Sequence, residues 1–535
     1  MLWRMPCLSG KESFYMCRIF FAVHFSSLEK GSLMILINPS IHSESQSQAI
    51  TPFIYNTFPT GLGCLAGYLR KYNNVVPQIV DEQIQPLSGR QLEKLIEELK
   101  EPRIVGFSLL TINCWHAYEV ANRIKQVDPG VLVVAGGIHA TVLPEECLSS
   151  KGIDVVVRRE GERTISELVD RVQNQKSWYD LQGISYKRNG EFVHNPDRPL
   201  IQDLNEIPPF PYELIDHNKD FYRDFGTVIT SRGCPFDCIF CSQRAITGRQ
   251  FRVFDVERVL DEVGLLVNRY KQDTIWFMDD NFIVDKKRVF SLLNGIISRG
   301  YHEKAGFVAE MRGDSVTYEL LGKMKEANFK IMSLGMETLV PRLLDKVEKR
   351  ETVEQNIQAV KMAHEAGLST STTFIFGLPT ETREDRKYTA KKARRLPLSD
   401  ARFNVAVPYP GTKLYEIAKA EGRLKIKEGW SNFNVQSYMF HDDIPYAPPG
   451  TTRAELIRDT YMANLFFNLQ PRVLKSWLMS PISGGMVLTL PEKWYFSPRE
   501  IGNLVSLAAL FVKRFFGICF LKGRSHKANI PKTSK

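Results

Sequence analysis

The stretch Gly226-Thr-Val-Ile-Thr-Ser231-Arg-Gly-Cys234-Pro-Phe-Asp-Cys238-Ile-Phe-Cys241 joins a short β-branched run to three cysteines spaced C-x3-C-x2-C. The run predicts a strand over 226–230, so the thiols fall on the loop leaving its carboxyl end. Three thiolates on one loop suffice to hold three irons of a [4Fe–4S] cluster. A structural zinc site needs a fourth ligand and draws its cysteines in two pairs. Only one set is present, because Cys7, Cys17, Cys64, Cys114, Cys147 and Cys519 stand far off at no metal spacing. A cluster held by three cysteines keeps one iron open, which suits chemistry at the metal better than simple electron transfer. Three coincidental buried thiols are the alternative.

Six strand–helix units run outward from this loop. Strands are expected at 226–230, 274–278, 306–309, 331–334, 370–376 and 401–407, with helical patterns at 256–270, 286–298, 318–327, 353–366 and 383–396. No two further strands follow Tyr409, so 226–420 reads as an open, partial (β/α)6 barrel. Active sites of such barrels form at the carboxyl ends of the strands.

Residues 33–175 alternate in the same way. Strands are expected at 34–38, 76–80, 104–109, 131–135 and 154–157, and helices at 62–71, 89–99, 114–126, 143–149 and 166–174. Each strand is a short apolar run bounded by turn residues, as for strands buried on both faces. This predicts a doubly wound, flavodoxin-like or Rossmann-like domain, whose ligands bind outside the carboxyl ends of the strands. Gly136-Gly137 follows the fourth strand; it either admits a ligand or another backbone closely or makes an ordinary tight turn. No G-x-G-x-x-G follows the first strand, which disfavours a nicotinamide or flavin site. A proline-rich connector at 176–225 carries a hairpin around Arg188-Asn-Gly190. Region 421–535 reads as mainly helical, and its amphipathic helix at 453–468 is expected to cover the open side of the barrel. The fold class is therefore α/β: a flavodoxin-like domain, a partial barrel and a helical C-terminal region.

With 43% hydrophobic and 24% charged side chains over 535 residues, the composition suits several globular domains with cores of their own. Nine cysteines are few for this length and odd in number, which argues against a secreted disulfide framework. The net charge of +10 is concentrated, since seven Lys/Arg and no acid lie between Lys513 and Lys535. The remainder is near neutral, so no nucleic-acid partner is expected. The apolar stretch 501–521 holds Lys513 and Arg514, which argues against a membrane span. It reads either as a basic segment on a membrane surface or as a terminal helix with a solvated tail. Residues 1–32 lack periodicity and are expected to form a poorly ordered extension, with translation starting near Met34. The expected location is cytoplasmic, with membrane association through the basic tail as its variant.

The cysteine spacing, the aromatic before the last cysteine and the place after the first barrel strand together resemble the radical S-adenosylmethionine (SAM) superfamily. The upstream domain resembles the cobalamin-binding domain of that superfamily's B12-binding subgroup. The matching stretches are Pro59-Thr-Gly-Leu-Gly-Cys-Leu-Ala-Gly-Tyr-Leu-Arg70, Val105-Gly-Phe-Ser-Leu-Leu-Thr111, Gly136-Gly-Ile-His139 and Arg158-Arg-Glu-Gly-Glu162. In the barrel, Phe277-Met-Asp-Asp-Asn281, Gly335-Met-Glu337, Phe376-Gly-Leu-Pro379 and Pro408-Tyr-Pro-Gly-Thr412 match as well. The resemblance covers most of the chain.

On this resemblance Cys234, Cys238 and Cys241 ligate a [4Fe–4S] cluster, and the amine and carboxylate of SAM take the open iron. One electron then cleaves SAM to methionine and a 5′-deoxyadenosyl radical. Phe240 packs beside the adenine, or in the core. Asp279, Asp280 and Asn281 stand where an acceptor for the methionine amine belongs, although the family more often has Gly-Gly-Glu there. Their alternative is to cap the helix at 286–298. Arg312 and Glu337 would contact the ribose or the methionine carboxylate, or form surface ion pairs. Gly377 and Pro379 would shape the loop beneath the adenine, or an ordinary turn. Ser108, Thr111, Gly136, Gly137 and His139 would face the cobalamin tail, with Glu160 following the last strand. The axial histidine string Asp-x-His-x-x-Gly is missing, and His42 stands in Ile-His-Ser-Glu instead, so cobalamin is expected without a histidine lower ligand. Arg159 occupies a position where the family more often has glycine, a bulky cation that would narrow the pocket.

The implied function is methyl transfer to an unactivated carbon. Oxidation of the anaerobic tetrapyrrole-cyclase type is the alternative on the same architecture. A catalytically inactive binding module is the third reading, against which the intact triplet weighs. The implied partners are a small-molecule or lipid-like substrate and an electron donor such as flavodoxin or ferredoxin.

Overall fold

The computed structural model describes residues 32–40, 58–222, 224–435 and 443–473. The N-terminal stretch, His42 and the basic C-terminal tail lie outside the described residues.

The first sheet contains β1 (Met34–Asn38), β2 (Gln78–Asp81), β3 (Ile104–Ser108), β4 (Leu132–Gly136), β5 (Val155–Val157), β6 (Ile184–Arg188) and β7 (Glu191–His194), in the order 2-1-3-4-5-6-7. The first five strands pair in parallel. Helices at Thr60–Asn73, Cys114–Val127 and Glu162–Gln173 connect them, so apolar runs such as Met34–Ile37 and Val155–Val157 are buried throughout. The order 2-1-3-4-5 is the flavodoxin-like order the alternation predicts.

The hairpin behaves differently from its reading as part of a connector. β6 pairs antiparallel with β5, and β7 with β6, so the hairpin completes the first sheet. Without it, the fully buried edge formed by Val155–Val157 would present unpaired backbone groups. Asn189 and Gly190 take φ of 52° and 87°, the left-handed pair that a tight two-residue turn requires.

The second sheet has six parallel strands: β8 (Thr227–Val228), β11 (Thr274–Phe277), β12 (Gly306–Met311), β13 (Phe329–Glu337), β14 (Ser369–Phe376) and β15 (Asp400–Val405). They neighbour one another in chain order, the expected open (β/α)6 arrangement. Beside β8, β9 (Ser231–Arg232) and β10 (Arg252–Val253) form a short antiparallel ladder on either side of the cysteine loop. Phe277, Phe282, Phe307 and Phe329 stack with centroids 5.1–6.0 Å apart and fill the core behind β11–β13.

The helix Arg453–Asn468 packs along β15, the free edge of the open barrel. Its Asn464 amide nitrogen donates to the Phe403 carbonyl at 2.7 Å, and its amide oxygen accepts from the Phe403 N–H at 3.1 Å, so one side chain stands in for a missing strand. Arg386, almost fully buried, fastens the same helix through Asp459 at 3.1 Å and Glu455 at 3.4 Å. These contacts commit the guanidinium, and Glu381 lies farther away at 3.8 Å.

Glu381 is also fully buried, and burial pushes its carboxyl up to about 8 from 4.5. A carboxyl raised on folding stabilises the fold most below its unfolded value, and the contribution is lost as pH rises through the folded value. Wild-type stability is therefore expected to fall between about pH 4.5 and pH 8, by a few kcal/mol on the scale of 1.36 kcal/mol per pKa unit. Glu381→Gln should flatten that slope and be the more stable protein at pH 9 in urea titrations. A variant less stable than wild type at pH 9 would mean that burial does not raise this carboxyl.

Candidate active site between the two sheets

β9 leads into the cysteine loop through Gly233, whose φ is +88° and where a side chain would meet the Gln250 carbonyl at 2.0 Å. Only glycine fits this bend. Beyond it the loop is tied down by Ile239, whose N–H donates to the Val347 carbonyl at 3.1 Å and whose carbonyl accepts from the Leu414 N–H at 2.9 Å. The Cys241 N–H donates to the Cys238 carbonyl at 3.1 Å, closing a turn around the last two thiols. Cys234 and Cys238 are half-buried, Cys241 is exposed, and all three are free thiols. Phe240 is half-buried against the core. Burial raises the half-buried Cys234 and Cys238 thiols, and Cys238 is pushed up to about 12 despite Lys349 and Arg312 nearby. Thiols so raised carry their protons at neutral pH, and metal binding must displace them. A one-loop set of three sulfurs with an accessible third member fits a cluster with one open iron.

The end of β11 aims its two carboxylates differently. Asp279 is buried and accepts from the Thr230 N–H at 2.8 Å, the Ser231 N–H at 2.6 Å and the Thr230 hydroxyl at 2.6 Å. It holds the backbone ahead of the cysteines. Asp280 accepts from the Gly233 N–H at 2.9 Å, and its carboxyl is raised to about 6, first by its enclosure among neighbouring groups and then by the charges of Asp279 and Glu310. Asn281 is buried and accepts from the Ile283 N–H at 3.4 Å. The helix Lys286–Ser298 is capped by Asp285, which accepts from the Arg288 N–H at 3.1 Å, so the capping alternative for 279–281 does not hold.

Neither Arg312 nor Glu337 forms a surface ion pair. Arg312 is buried, lies 3.6 Å from the Phe236 ring centre and pairs with Asp314 at 2.8 Å and Glu351 at 3.5 Å. Glu337 is buried at a φ of +58°, beside a register shift of β13, and binds Lys349 at 2.7 Å. A non-glycine residue in that conformation stores strain of the kind that collects at functional sites. Gly377, at a φ of +90°, has its N–H bonded to Glu381 and leaves 2.6 Å between a would-be side chain and Leu456; Pro379 is buried two residues on.

A cavity of about 370 Å³ opens between the sheets. Ser108, Gly136, Gly137, Arg159 and Glu160 line it from the carboxyl edge of the first sheet, and Ser231, Arg232, Met278 and Asp280 from the barrel. The two glycines differ: a side chain on Gly136 would meet nothing closer than 3.7 Å, whereas one on Gly137, at a φ of +93°, would lie 2.7 Å from the Leu109 carbonyl. Gly137 is required by the turn, and Gly136 leaves room.

Thr111 and His139 are not brought to this cavity. His139 is fully buried, within 3.2 Å of the Tyr118 hydroxyl and of Glu146, and 3.3 Å from the Thr111 hydroxyl. Trp430 donates to Glu146 at 2.8 Å, so the group anchors the region after the barrel to the first sheet.

Arg232 and Arg252, which sequence reading overlooked, join the two units by meeting Glu160 and Glu162. Glu160, after β5, accepts from Arg252 at 2.8 Å and Arg232 at 3.3 Å, and Glu162 accepts from Arg232 at 2.6 Å. All four are largely buried. Burial would raise the Glu160 carboxyl, but the two guanidiniums outweigh it and hold it below its ordinary value. An arginine directly before Gly-Cys was the available signal, yet its partners lie 70 residues away.

Two family profiles match this chain: the Radical SAM superfamily over residues 228–393 and the B12 binding domain over residues 50–169. A protein of Pyrococcus horikoshii described as an uncharacterised methyltransferase is 36% identical over 425 residues, covering 78% of this chain and 89% of that protein. The anaerobic magnesium-protoporphyrin IX monomethyl ester cyclase of Rubrivivax gelatinosus is 29% identical, covering 81% of this chain and 76% of the cyclase. Among solved structures, the radical SAM methyltransferase TsrM of Kitasatospora setae, with cobalamin and a [4Fe–4S] cluster bound, superposes with a TM-score of 0.66 at 16% identity, covering 91% of this chain and all (100%) of that one. The cobalamin-dependent SAM radical enzyme OxsB, with aqua-cobalamin and SAM bound, gives 0.64 at 18% identity, covering 91% of this chain and 71% of that one. These likenesses extend to the fold.

Arg232→Met leaves Glu160 and Glu162 buried with less compensation. The expected loss is about 3–5 kcal/mol of stability in denaturant titration. A loss below about 1 kcal/mol, the range of exposed pairs, would mean that water already solvates the two acids.

Proposed function

The chain belongs to the B12-binding group of the radical SAM superfamily, and on that footing we propose that it is a cobalamin-dependent methyltransferase acting on an unactivated carbon of a small-molecule or lipid-like substrate. The observation that carries this reading is the shared cavity walled by the carboxyl edge of the first sheet on one side and by the backbone leading to the cysteine loop on the other. When bound, a [4Fe–4S] cluster, SAM and cobalamin supply one-electron cleavage of SAM and a transferable methyl group.

The protein's part is to hold and orient. Cys234, Cys238 and Cys241 hold three irons, and the strapped backbone of Ile239 keeps the loop from shifting. Asp280, whose neighbour Asp279 is used up by backbone, is the carboxylate free to accept from a methionine amine. Phe240, Arg312, Glu337, Gly377 and Pro379 border the remaining SAM surface, with Lys349 fixing Glu337 and Glu381 fixing the Gly377 turn. Asn281 supports the β11 loop from beneath. Ser108 and Gly136 receive cobalamin, while Glu160 braces the wall. The enclosure of His139 by Tyr118, Thr111 and Glu146 supports cobalamin bound without a histidine below the cobalt.

A second reading, oxidative cyclisation, is favoured by the similarity to the Rubrivivax cyclase. Product analysis by mass, with SAM carrying a labelled methyl group, separates the two: methylation transfers the label, and cyclisation does not. Among the described residues no helix is long and apolar enough to cross a membrane.

Anaerobic incubation of the reconstituted protein with SAM and dithionite should yield 5′-deoxyadenosine, and its absence in a protein with a full iron content would overturn the assignment. Cys238→Ala should lose the cluster absorbance and all SAM cleavage while the first sheet stays folded by circular dichroism. Gly136→Leu projects a side chain into the cavity from a position whose Cβ has room, so cobalamin uptake should drop at least about tenfold, a 1.4 kcal/mol effect, with iron content unchanged. Equal cobalt-corrin absorbance in that variant would exclude this cavity as the binding site.

A further inference from the structure

The segment between the first two cysteines exposes an unbalanced charge. Asp237 directly precedes Cys238, and three arginines converge on its buried carboxylate: Arg350 at 2.9 Å, Arg244 at 3.2 Å and Arg249 at 3.3 Å. Their side chains remain 54%, 48% and 52% exposed, so one carboxylate orients three guanidiniums whose outer faces are free. Arg249 is held further by donating to the Pro235 carbonyl at 3.1 Å. The adjoining Glu348 is matched by Lys413 at 2.6 Å and contributes no net charge. The result is an excess of two positive charges, fixed in place, on the outer side of the loop that carries the cysteines. The large cavity lies elsewhere, lined by Gln243, Ile246 and Thr247 but by none of these arginines.

Three arginines sharing one carboxylate are more than the fold needs to neutralise Asp237. Planar guanidiniums held in one orientation are suited to receive carboxylates from a partner. SAM cleavage consumes one electron per turnover, and on the reading above the cysteine loop carries the centre that receives it. We propose that Arg244, Arg249 and Arg350 form the docking face for a small acidic one-electron carrier protein. This rests on the radical SAM reading above. The carrier gives up one electron and is oxidised, the centre held by the loop is reduced by that electron, and no bond is made or broken. Docking here brings the carrier to within one residue of a cysteine ligand while leaving the cavity open to substrate. The charge excess steers encounter more than it adds affinity, so the interaction is fast and sensitive to salt.

The test uses the full-length reconstituted protein and a flavodoxin as the carrier. Binding of oxidised flavodoxin, followed by surface plasmon resonance, should weaken steeply as salt is raised. Combined reversal of charge at two of the three, R244E/R249E, which leaves Arg350 paired with the buried Asp237, should weaken that binding about tenfold or more at low salt and lower flavodoxin-driven SAM cleavage in parallel. Dithionite-driven cleavage and the cluster absorbance should stay at wild-type levels. R244K/R249K keeps the charge and should retain most of the binding. Unchanged flavodoxin binding in the reversed variant overturns the proposal. So does an equal loss with dithionite, which would assign the arginines to the shape of the loop. Failure of the wild type to cleave SAM with dithionite would instead strike the reaction itself, and the binding measurement would still report on the docking face.

Discussion

The arrangement rests on four buried charges. Glu160 comes from the loop after β5 and Glu162 from the first turn of the helix that follows, and Arg232 and Arg252 come from the two short strands that flank the cysteine loop. Burying such charges is costly in isolation, and apolar residues of the same volume would often serve stability equally well. Their value is directional. An arginine fork that meets two carboxylates allows one orientation, whereas an apolar contact allows sliding. The network therefore sets the register between the two α/β units. Everything that lines the cavity, from Ser108 and Gly136 to Ser231 and Asp280, depends on that register.

Within the barrel the same economy of charge recurs. Asp279 and Asp280 are neighbours in sequence, and successive residues of an extended chain point to opposite sides. One therefore turns inward to three backbone and hydroxyl donors, and the other outward to the cavity. Lys349 answers Glu337 and Glu351 in the same way, and Arg386 answers Glu455 and Asp459. Each buried charge at the carboxyl ends of the strands has a partner that fixes its position. This is the condition for a site that orients ligands rather than adapting to them.

Much of the fold was legible because its signals are local. The apolar runs at 34–38 and 104–108, the helix at 286–298 and the helix at 453–468 are set by residues within a turn or two of each other. The hairpin was legible as a hairpin through Asn189-Gly190, but its place at the edge of the first sheet was not, because the need arises from the bare edge of β5. The cysteine triplet was legible because ligands to one cluster sit on one loop. The roles of Asp279, Arg312 and His139 were not, since each depends on partners that only the folded chain brings within hydrogen-bond range.

The sequence alone determined the alternating α/β architecture, the six-stranded open barrel, the metal-ligand loop and the resemblance to a known superfamily, because hydrophobic period, turn chemistry and ligand spacing are written in adjacent residues. The tertiary structure decided which of two adjacent aspartates is available, that His139 belongs to a buried network, and that three arginines crowd one carboxylate beside Cys238. Those outcomes turn on distance through space between residues tens to hundreds apart in the chain, and such distances exist only after both sheets have closed on their common cavity.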